Sequence, residues 1–232
     1  MTHEDRGPTP ADDFRPPVPR AVEIPGPAGT LEARLEDPLG EGAAHEVVGV
    51  VCHPHPLHGG TLQNKVVHTS ARAMQEAGAA TVRFNFRGVG RSAGRYADGE
   101  GEVEDALAVV EWTRRRFECD TLWLAGFSFG AAVALRAATR GARPQRLITV
   151  APPVGRMLTD RPARPACDWL IVQGDRDELV DAAAVRAWAG AYAPPPELLV
   201  VRDAEHFFHG KLGELREALL GFLRGGPGAG RG

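Results

Sequence analysis

Serine is scarce in this chain of 232 residues: Ser70, Ser92 and Ser128 are the only three. Any serine chemistry therefore has few places to sit. Lysine is scarcer still, with only Lys65 and Lys211, so nearly all the positive charge is arginine. Together with abundant alanine, that points to a GC-rich, bacterial coding sequence and says nothing about mechanism. The 27 basic and 30 acidic residues leave a net charge of -3, and the basic ones are thinly spread. No basic face for nucleic acid is expected. The three cysteines, Cys52, Cys119 and Cys167, are odd in number and far apart. They fit neither a disulfide framework nor a zinc motif, and they suit a reducing cytoplasm. No apolar run approaches the roughly 20 residues of a membrane helix. The first twenty residues are polar and proline-rich, so neither a secretory signal nor a membrane partner is expected.

What is present is alternation. The hydrophobic fraction is 43%, and the length suits one domain with a full core. Residues 21–24 and 30–36 read as an antiparallel hairpin. Strands follow at 47–52, 80–86, 122–125, 147–151, 169–173 and 197–201. Helices are expected at 61–77, 101–117, after Ser128, at 182–191 and at 211–223. In the second helix Val103, Leu107 and Val110 recur on one face. Such alternation implies an α/β chain whose mostly parallel, doubly wound sheet has helices on both faces.

Ser128 stands out by its context. It lies in Gly126-Phe127-Ser128-Phe129-Gly130, between the apolar run Leu122-Trp123-Leu124-Ala125 and the helix-forming run Ala131 to Ala138. Strand, Gly-x-Ser-x-Gly, helix is the nucleophile elbow of serine hydrolases. The turn is sharp enough that a side chain at either glycine would strike neighbouring backbone. Ser92 lies in the same five-residue pattern, Gly90 to Gly94, but a glycine-rich loop follows it rather than a helix. It is read as a polar loop residue. A serine hydroxyl needs a base, and the base needs an acid to orient it. Asp175 and Asp177 follow strand 169–173; His206 and His209 follow strand 197–201. Acid and histidine thus come after the serine in the α/β-hydrolase order, each in a loop beyond a strand. In a parallel sheet those loops share the elbow's edge.

With these residues in view, the chain resembles a small bacterial family of nearly lidless α/β-hydrolases. The resemblance rests on five segments: His53 to Thr61, Arg83 to Ser92, the elbow, Gln173 to Glu178, and His206 to Lys211. It spans roughly residues 22–223. It implies an α/β-hydrolase fold of about eight strands and hydrolysis of an ester-type substrate, with no particular substrate named. The domain is expected over 21–224, with mobile tails at 1–20 and 225–232. The fold's Gly-x-x-Asp-x-x-Val pattern, with Gly174 and Val180, places the acid on Asp177 and leaves Asp175 as a turn residue. Glu178 is read as a solvated loop charge. The family's setting for the base fits Ala204-Glu205-His206, which leaves His209 at the surface. Of the two backbone N–H donors of an oxyanion hole, one is expected at Phe129. The resemblance puts the other at His55, because Pro54 occupies a usual glycine slot.

The expected reading is a cofactor-free serine hydrolase acting on small-molecule esters or thioesters with water. Ser128 is the nucleophile, His206 the base and Asp177 the orienting acid. Peptidase or acyltransferase activity on the same triad remains open, as does a non-catalytic binding module. A metal-dependent hydrolase on His53, His55 and His58 is a further rival. It lacks the aspartate that metallo-β-lactamase-type enzymes carry where this chain has Leu57, and no metal is expected. Gly88-Val89-Gly90 echoes a dinucleotide fingerprint, but no helix opens there. Only residues 152–168, crowded with prolines, separate strands 147–151 and 169–173. That is too short for a cap domain, so the pocket is expected to be open, edged by Met157, Leu158 and Phe207.

Overall fold

The computed structural model describes residues 18–39 and 46–225. The tails expected at 1–20 and 225–232 lie outside these residues except for Val18, Pro19, Arg20 and Gly225. The strands are β1 (Arg20–Gly26), β2 (Gly29–Glu36), β3 (Val48–Cys52), β4 (Ala80–Phe84), β5 (Leu122–Phe127), β6 (Arg146–Val150), β7 (Asp168–Gly174) and β8 (Glu197–Val201). The helices are α1 (Lys65–Glu76), α2 (Glu100–Phe117), α3 (Phe129–Ala137), α4 (Ala182–Gly190) and α5 (Leu212–Arg224). One sheet holds all eight strands in the order β1-β2-β4-β3-β5-β6-β7-β8. The pairs β1–β2 and β2–β4 are antiparallel; the others are parallel.

The central strands β3 and β5 are apolar throughout because both of their faces are covered. Successive side chains point to opposite faces. In β5, Leu122 and Leu124 enter one core layer while Trp123, Ala125 and Phe127 enter the other. In β7, Trp169 and Ile171 oppose Leu170 and Val172 in the same way. The first layer lies under α2, α3 and α4, and the second under α1 and α5. The helices α1 and α5 are joined by Arg216, which donates to Glu76 at 2.6 Å.

Several boundaries differ from the sequence reading, each for a local reason. β5 runs on to Phe127, because the elbow glycine Gly126 is itself in the strand. β4 stops at Phe84: beyond it the Phe86 N–H donates to His53 Nε2 at 3.0 Å. α1 starts only at Lys65, after a short 3-10 turn at Pro56–His58, with Asn64 accepting from the Val66 N–H at 2.9 Å as its cap. On α2 the buried face is Val103, Ala106, Val109 and Val110, and Leu107 is only half-buried.

The loop after β4 packs close to the site, and buried polar groups hold it. Arg87 forms a two-pronged ion pair with the fully buried Asp105, the closest contact being 2.8 Å. Asp105 also accepts from the Arg87 backbone N–H at 3.0 Å. Ser92 Oγ donates to the Asn85 carbonyl at 2.7 Å and accepts from the Glu32 N–H at 2.9 Å. Ser92 is thus a structural loop pin. Glu102 accepts from the N–H groups of Ala97 and Gly99 and fixes the start of α2.

His53 is fully buried at the end of β3. Its Nδ1–H donates to the Pro54 carbonyl at 2.6 Å, and its Nε2 accepts from Phe86, so the ring is held neutral. Burial pulls its pKa down to about 4, against a smaller opposing effect from the Pro54 carbonyl. The unfolded chain takes up the proton near pH 6.5, and the folded one does so only near pH 4. Stability from this residue is therefore intact above about pH 6.5 and falls as the pH drops toward 4, by about 3 kcal/mol in all. Urea unfolding at pH 7.5 and 4.5 should show a smaller acid-induced loss for His53→Gln than for the native chain. An equal loss in both would show that His53 does not carry this acid sensitivity.

Candidate active site

The ends of β3, β5, β7 and β8 lie on one edge of the sheet, and the candidate residues follow those ends. Ser128 joins β5 to α3 with φ 53° and ψ -117°. That conformation belongs to the first central position of a type II′ turn, normally a glycine position. For a serine it costs on the order of 1–3 kcal/mol. The strain is held by hydrogen bonds on both sides. The Ser128 N–H donates to the Val150 carbonyl at 2.9 Å, and its carbonyl accepts from the Ala131 N–H at 2.8 Å. A Cβ at Gly126 would overlap the Gly130 carbonyl, and one at Gly130 would overlap the carbonyls of Cys52 and His53. Gly130 therefore brings the start of α3 against the exit of β3.

The acid loop and the histidine loop touch in the same manner, since a Cβ at Gly174 would overlap the Ala204 carbonyl. The Asp177 side chain is fully buried. Its Oδ1 accepts from the N–H groups of Leu179 at 2.9 Å and Val180 at 2.8 Å. Its Oδ2 accepts from Gln173 Nε2 and His206 Nδ1, both at 2.9 Å. Burial raises the Asp177 pKa, but the hydrogen bond and charge of His206 and the two N–H groups outweigh it. The carboxyl stays below its ordinary range. A carboxylate cannot donate, so His206 carries its proton on Nδ1, and the Nε2 lone pair faces Ser128 Oγ at 3.0 Å. The His206 ring packs against those of Phe127 and Phe207, each 5.1 Å away between centroids, and these two rings also touch each other, so the three form a cluster.

Asp175 sits in the turn that follows β7, and its side chain reaches across to the histidine loop, accepting from the Asp203 N–H at 2.7 Å. His209 is exposed beside Glu205. Two residues have more to do than the sequence implied. Glu178, read as a solvated charge, accepts from the His206 N–H at 3.1 Å and so ties the two loops together. Gln173 was read only as the end of a strand. It is fully buried and donates to Asp177 while its own Oε1 has no partner among the described residues. A polar residue closing the apolar run Trp169 to Val172 was the available signal. Leu158, expected at the pocket edge, is buried instead. Residues 152–167 contain no helix.

His55, His58, Tyr96 and Phe129 form a ring cluster next to the serine. The His55 ring lies 4.5 Å from that of His58, 5.2 Å from Tyr96 and 4.9 Å from Phe129. The His55 Nδ1 accepts from the Leu57 N–H at 3.2 Å. Burial and, less strongly, the neighbouring His58 lower the His55 pKa. Both ring nitrogens of His53 are already engaged, so His53, His55 and His58 do not converge on a common point. No group of three metal-ligating side chains is placed to hold a metal among the described residues.

The sheet order, the elbow and the paired loops define an α/β-hydrolase fold without a lid. Residues 55–169 match the family model described as serine aminopeptidase, S33. The chain is 46% identical to a lidless α/β serine hydrolase of Xanthomonas campestris, over 92% of this chain and 97% of that one, with a TM-score of 0.84. An α/β serine hydrolase homologue from Coxiella burnetii is 48% identical, over 87% and 95%, with a TM-score of 0.82. An uncharacterized protein of Rickettsia prowazekii is 31% identical over 207 residues, covering 85% of this chain and 86% of that protein. The chain belongs to the α/β serine hydrolase family.

The close approach at the elbow has a measurable consequence. Gly130→Ala should lower stability by at least about 2 kcal/mol, because backbone rather than a flexible side chain must move. In thermal unfolding that is a drop of about 4 °C or more. Gly213→Ala, in α5 with open space around it, should instead gain about 0.5 kcal/mol from helix propensity. Equal effects in the two variants would mean that the contact between α3 and the exit of β3 is not tight.

Proposed function

We propose that this chain hydrolyses carboxylic esters or thioesters through an acyl-enzyme on Ser128. His206 Nε2 takes the hydroxyl proton while Ser128 Oγ bonds to the carbonyl carbon. The tetrahedral oxyanion sits on the N–H groups of Phe129 and His55. His206 then gives its proton to the leaving oxygen or sulfur as that bond breaks. Water repeats the sequence on the acyl-enzyme: its proton passes through His206 back to Ser128 Oγ, and the carboxylic acid departs. Asp177 stays ionised, holds the His206 tautomer and stabilises the imidazolium formed in each half.

The observation that carries this reading is the unbroken hydrogen-bonded chain Ser128–His206–Asp177, at 3.0 and 2.9 Å. The positions of the two N–H groups support it. Phe129 opens α3, where a helix's first N–H groups lack intrahelical acceptors. His55 lies between two prolines that have no N–H to offer, and its ring rests against that of Phe129.

The matched family model bears a serine aminopeptidase description, which makes peptide cleavage the second reading. Holding a free amino terminus calls for a carboxylate with capacity to spare. Here Asp177 accepts four hydrogen bonds, Glu178 holds the His206 N–H, and Glu102 holds Ala97 and Gly99. Exposed Asp98, beside Tyr96, and exposed Glu205, next to His206, are the carboxylates that an amino terminus could meet, so the substrate panel below decides between the two readings.

A fluorophosphonate probe should label the native chain on the peptide containing Ser128. Ser128→Ala should abolish labelling and cut ester turnover by about 10⁴-fold or more. A folded native chain that is not labelled would leave a non-catalytic binding module as the better reading. Among the acids, Asp177→Asn should lower kcat by about 10³–10⁴-fold, because the amide cannot stabilise the imidazolium. Asp175→Asn should cost less than about tenfold. Assayed side by side, the reverse ranking would move the orienting acid to Asp175. A panel of p-nitrophenyl esters, acyl thioesters and aminoacyl amides separates the ester reading from the peptidase one.

A further inference from the structure

Four large apolar side chains are exposed among the described residues: Val18, Leu57, Leu179 and Phe207, at 83, 66, 40 and 40%. Val18 precedes β1, at the edge of the sheet far from β8. The other three all rise from loops that carry the site, and each is tied to a site residue. The Leu57 N–H donates to the His55 ring at 3.2 Å, and the Leu179 N–H donates to Asp177 Oδ1 at 2.9 Å. The Phe207 ring stands edge-on to His206 and lies 5.8 Å from Phe127. Fixed loops therefore hold these side chains out in water, with no cap helix to cover them.

Resting on the hydrolase reading above, we propose that this rim divides the substrate: Leu57 holds an apolar acyl chain, and Phe207, adjoined by Leu179, holds an apolar alcohol part. The sheet order β3-β5-β6-β7-β8 puts Leu57 on one side of the serine's strand and Leu179 and Phe207 on the other, where Phe207 packs against His206. Proton transfer decides which half of the ester lies where. The leaving oxygen takes its proton from His206 Nε2, so the alcohol part leaves over the His206 side and meets Phe207. The carbonyl oxygen turns to the N–H donors. Because the His55 N–H, two residues before Leu57, draws the carbonyl against that loop, the acyl chain is the half of the ester that passes over Leu57. Each hydrocarbon segment covers surface that the protein itself leaves wet. The substrate class is an ester with an apolar chain on both sides of its carbonyl.

Four esters test this, with kcat/KM read by titrating the released acid. Hexyl acetate against methyl acetate measures preference for a longer alcohol. Methyl hexanoate against methyl acetate measures preference for a longer acyl chain. The native chain should prefer the longer member of each pair. Phe207→Ser should lower the alcohol preference by about tenfold and shift the acyl preference by less than about twofold. Leu57→Ser should do the reverse. Phe207→Leu, which keeps an apolar side chain beside His206, should restore most of the alcohol preference. Val18→Ser should move neither ratio. The assignment is overturned if the native chain shows no length preference, if both ratios fall together in each variant, or if neither moves. Fluorophosphonate labelling of Ser128 in the same preparations separates the causes. Labelled protein with unmoved ratios removes only the division of the rim, whereas unlabelled native protein removes the hydrolase reading and this one with it.

Discussion

A missing methyl group at Gly130 underlies the rest of the site. Only a residue without a Cβ lets the first turn of α3 rest against the carbonyls of Cys52 and His53. That contact sets the distance between the end of β5, which carries Ser128, and the loop that carries His55. The strained Ser128 beside it is held by its own backbone hydrogen bonds to Val150 and Ala131. Gly174 plays the same part between the acid and histidine loops. At both places the sequence gives up helix or strand propensity for a close approach of backbone.

Around these contacts, polar groups are fixed in pairs rather than left to water. Asp177 is held by four donors, and His206 is held through its ring, its backbone N–H and two aromatic rings packed against it. Burial raises the pKa of Asp177, but His206 and the N–H groups of Leu179 and Val180 favour the carboxylate and leave the pKa depressed. The loop after β4 is pinned in a comparable way by Arg87–Asp105 and Ser92. A constellation with so little freedom needs no lid to assemble it, and the chain between β6 and β7 supplies none. The same rigidity leaves Leu57, Leu179 and Phe207 standing in solvent around the serine.

The fold was largely legible because its signals are local. Apolar runs too short for helices, separated by amphipathic stretches, gave the strands nearly to the residue, and the elbow was fixed by its strand–turn–helix context. The boundaries that shifted did so through distant partners: His53 ends β4 from 33 residues away, and nothing near Phe86 announces it. Context brought out Ser128, while Asp175 or Asp177 and His206 or His209 stayed open until the family resemblance chose Asp177 and His206, the residues now found hydrogen-bonded in line with Ser128. The roles of Glu178 and Gln173 were not legible, because each depends on which loop lies opposite. The histidines after β3 offered a rival that the sequence already weighed against, since Leu57 stands where an aspartate ligand would be needed. His-x-His-x-x-His looks like a ligand set in sequence, but a strand end turns His53 into the core while the prolines carry His55 and His58 outward. Of the exposed rim, Phe207 was expected at the pocket edge, whereas nothing in the sequence placed Leu57 or Leu179 there.

The central claim is a covalent one, that the acyl group passes through Ser128. Rapid acid quench during turnover of a slowly deacylated ester, followed by intact mass and peptide mapping, tests it directly. The expected result is one added acyl mass per chain, on the peptide containing Ser128, that appears with the first turnover and decays as substrate is exhausted. Steady turnover with no added mass, where deacylation is shown to be the slower step, would contradict the claim. So would an acyl group that maps to any other residue.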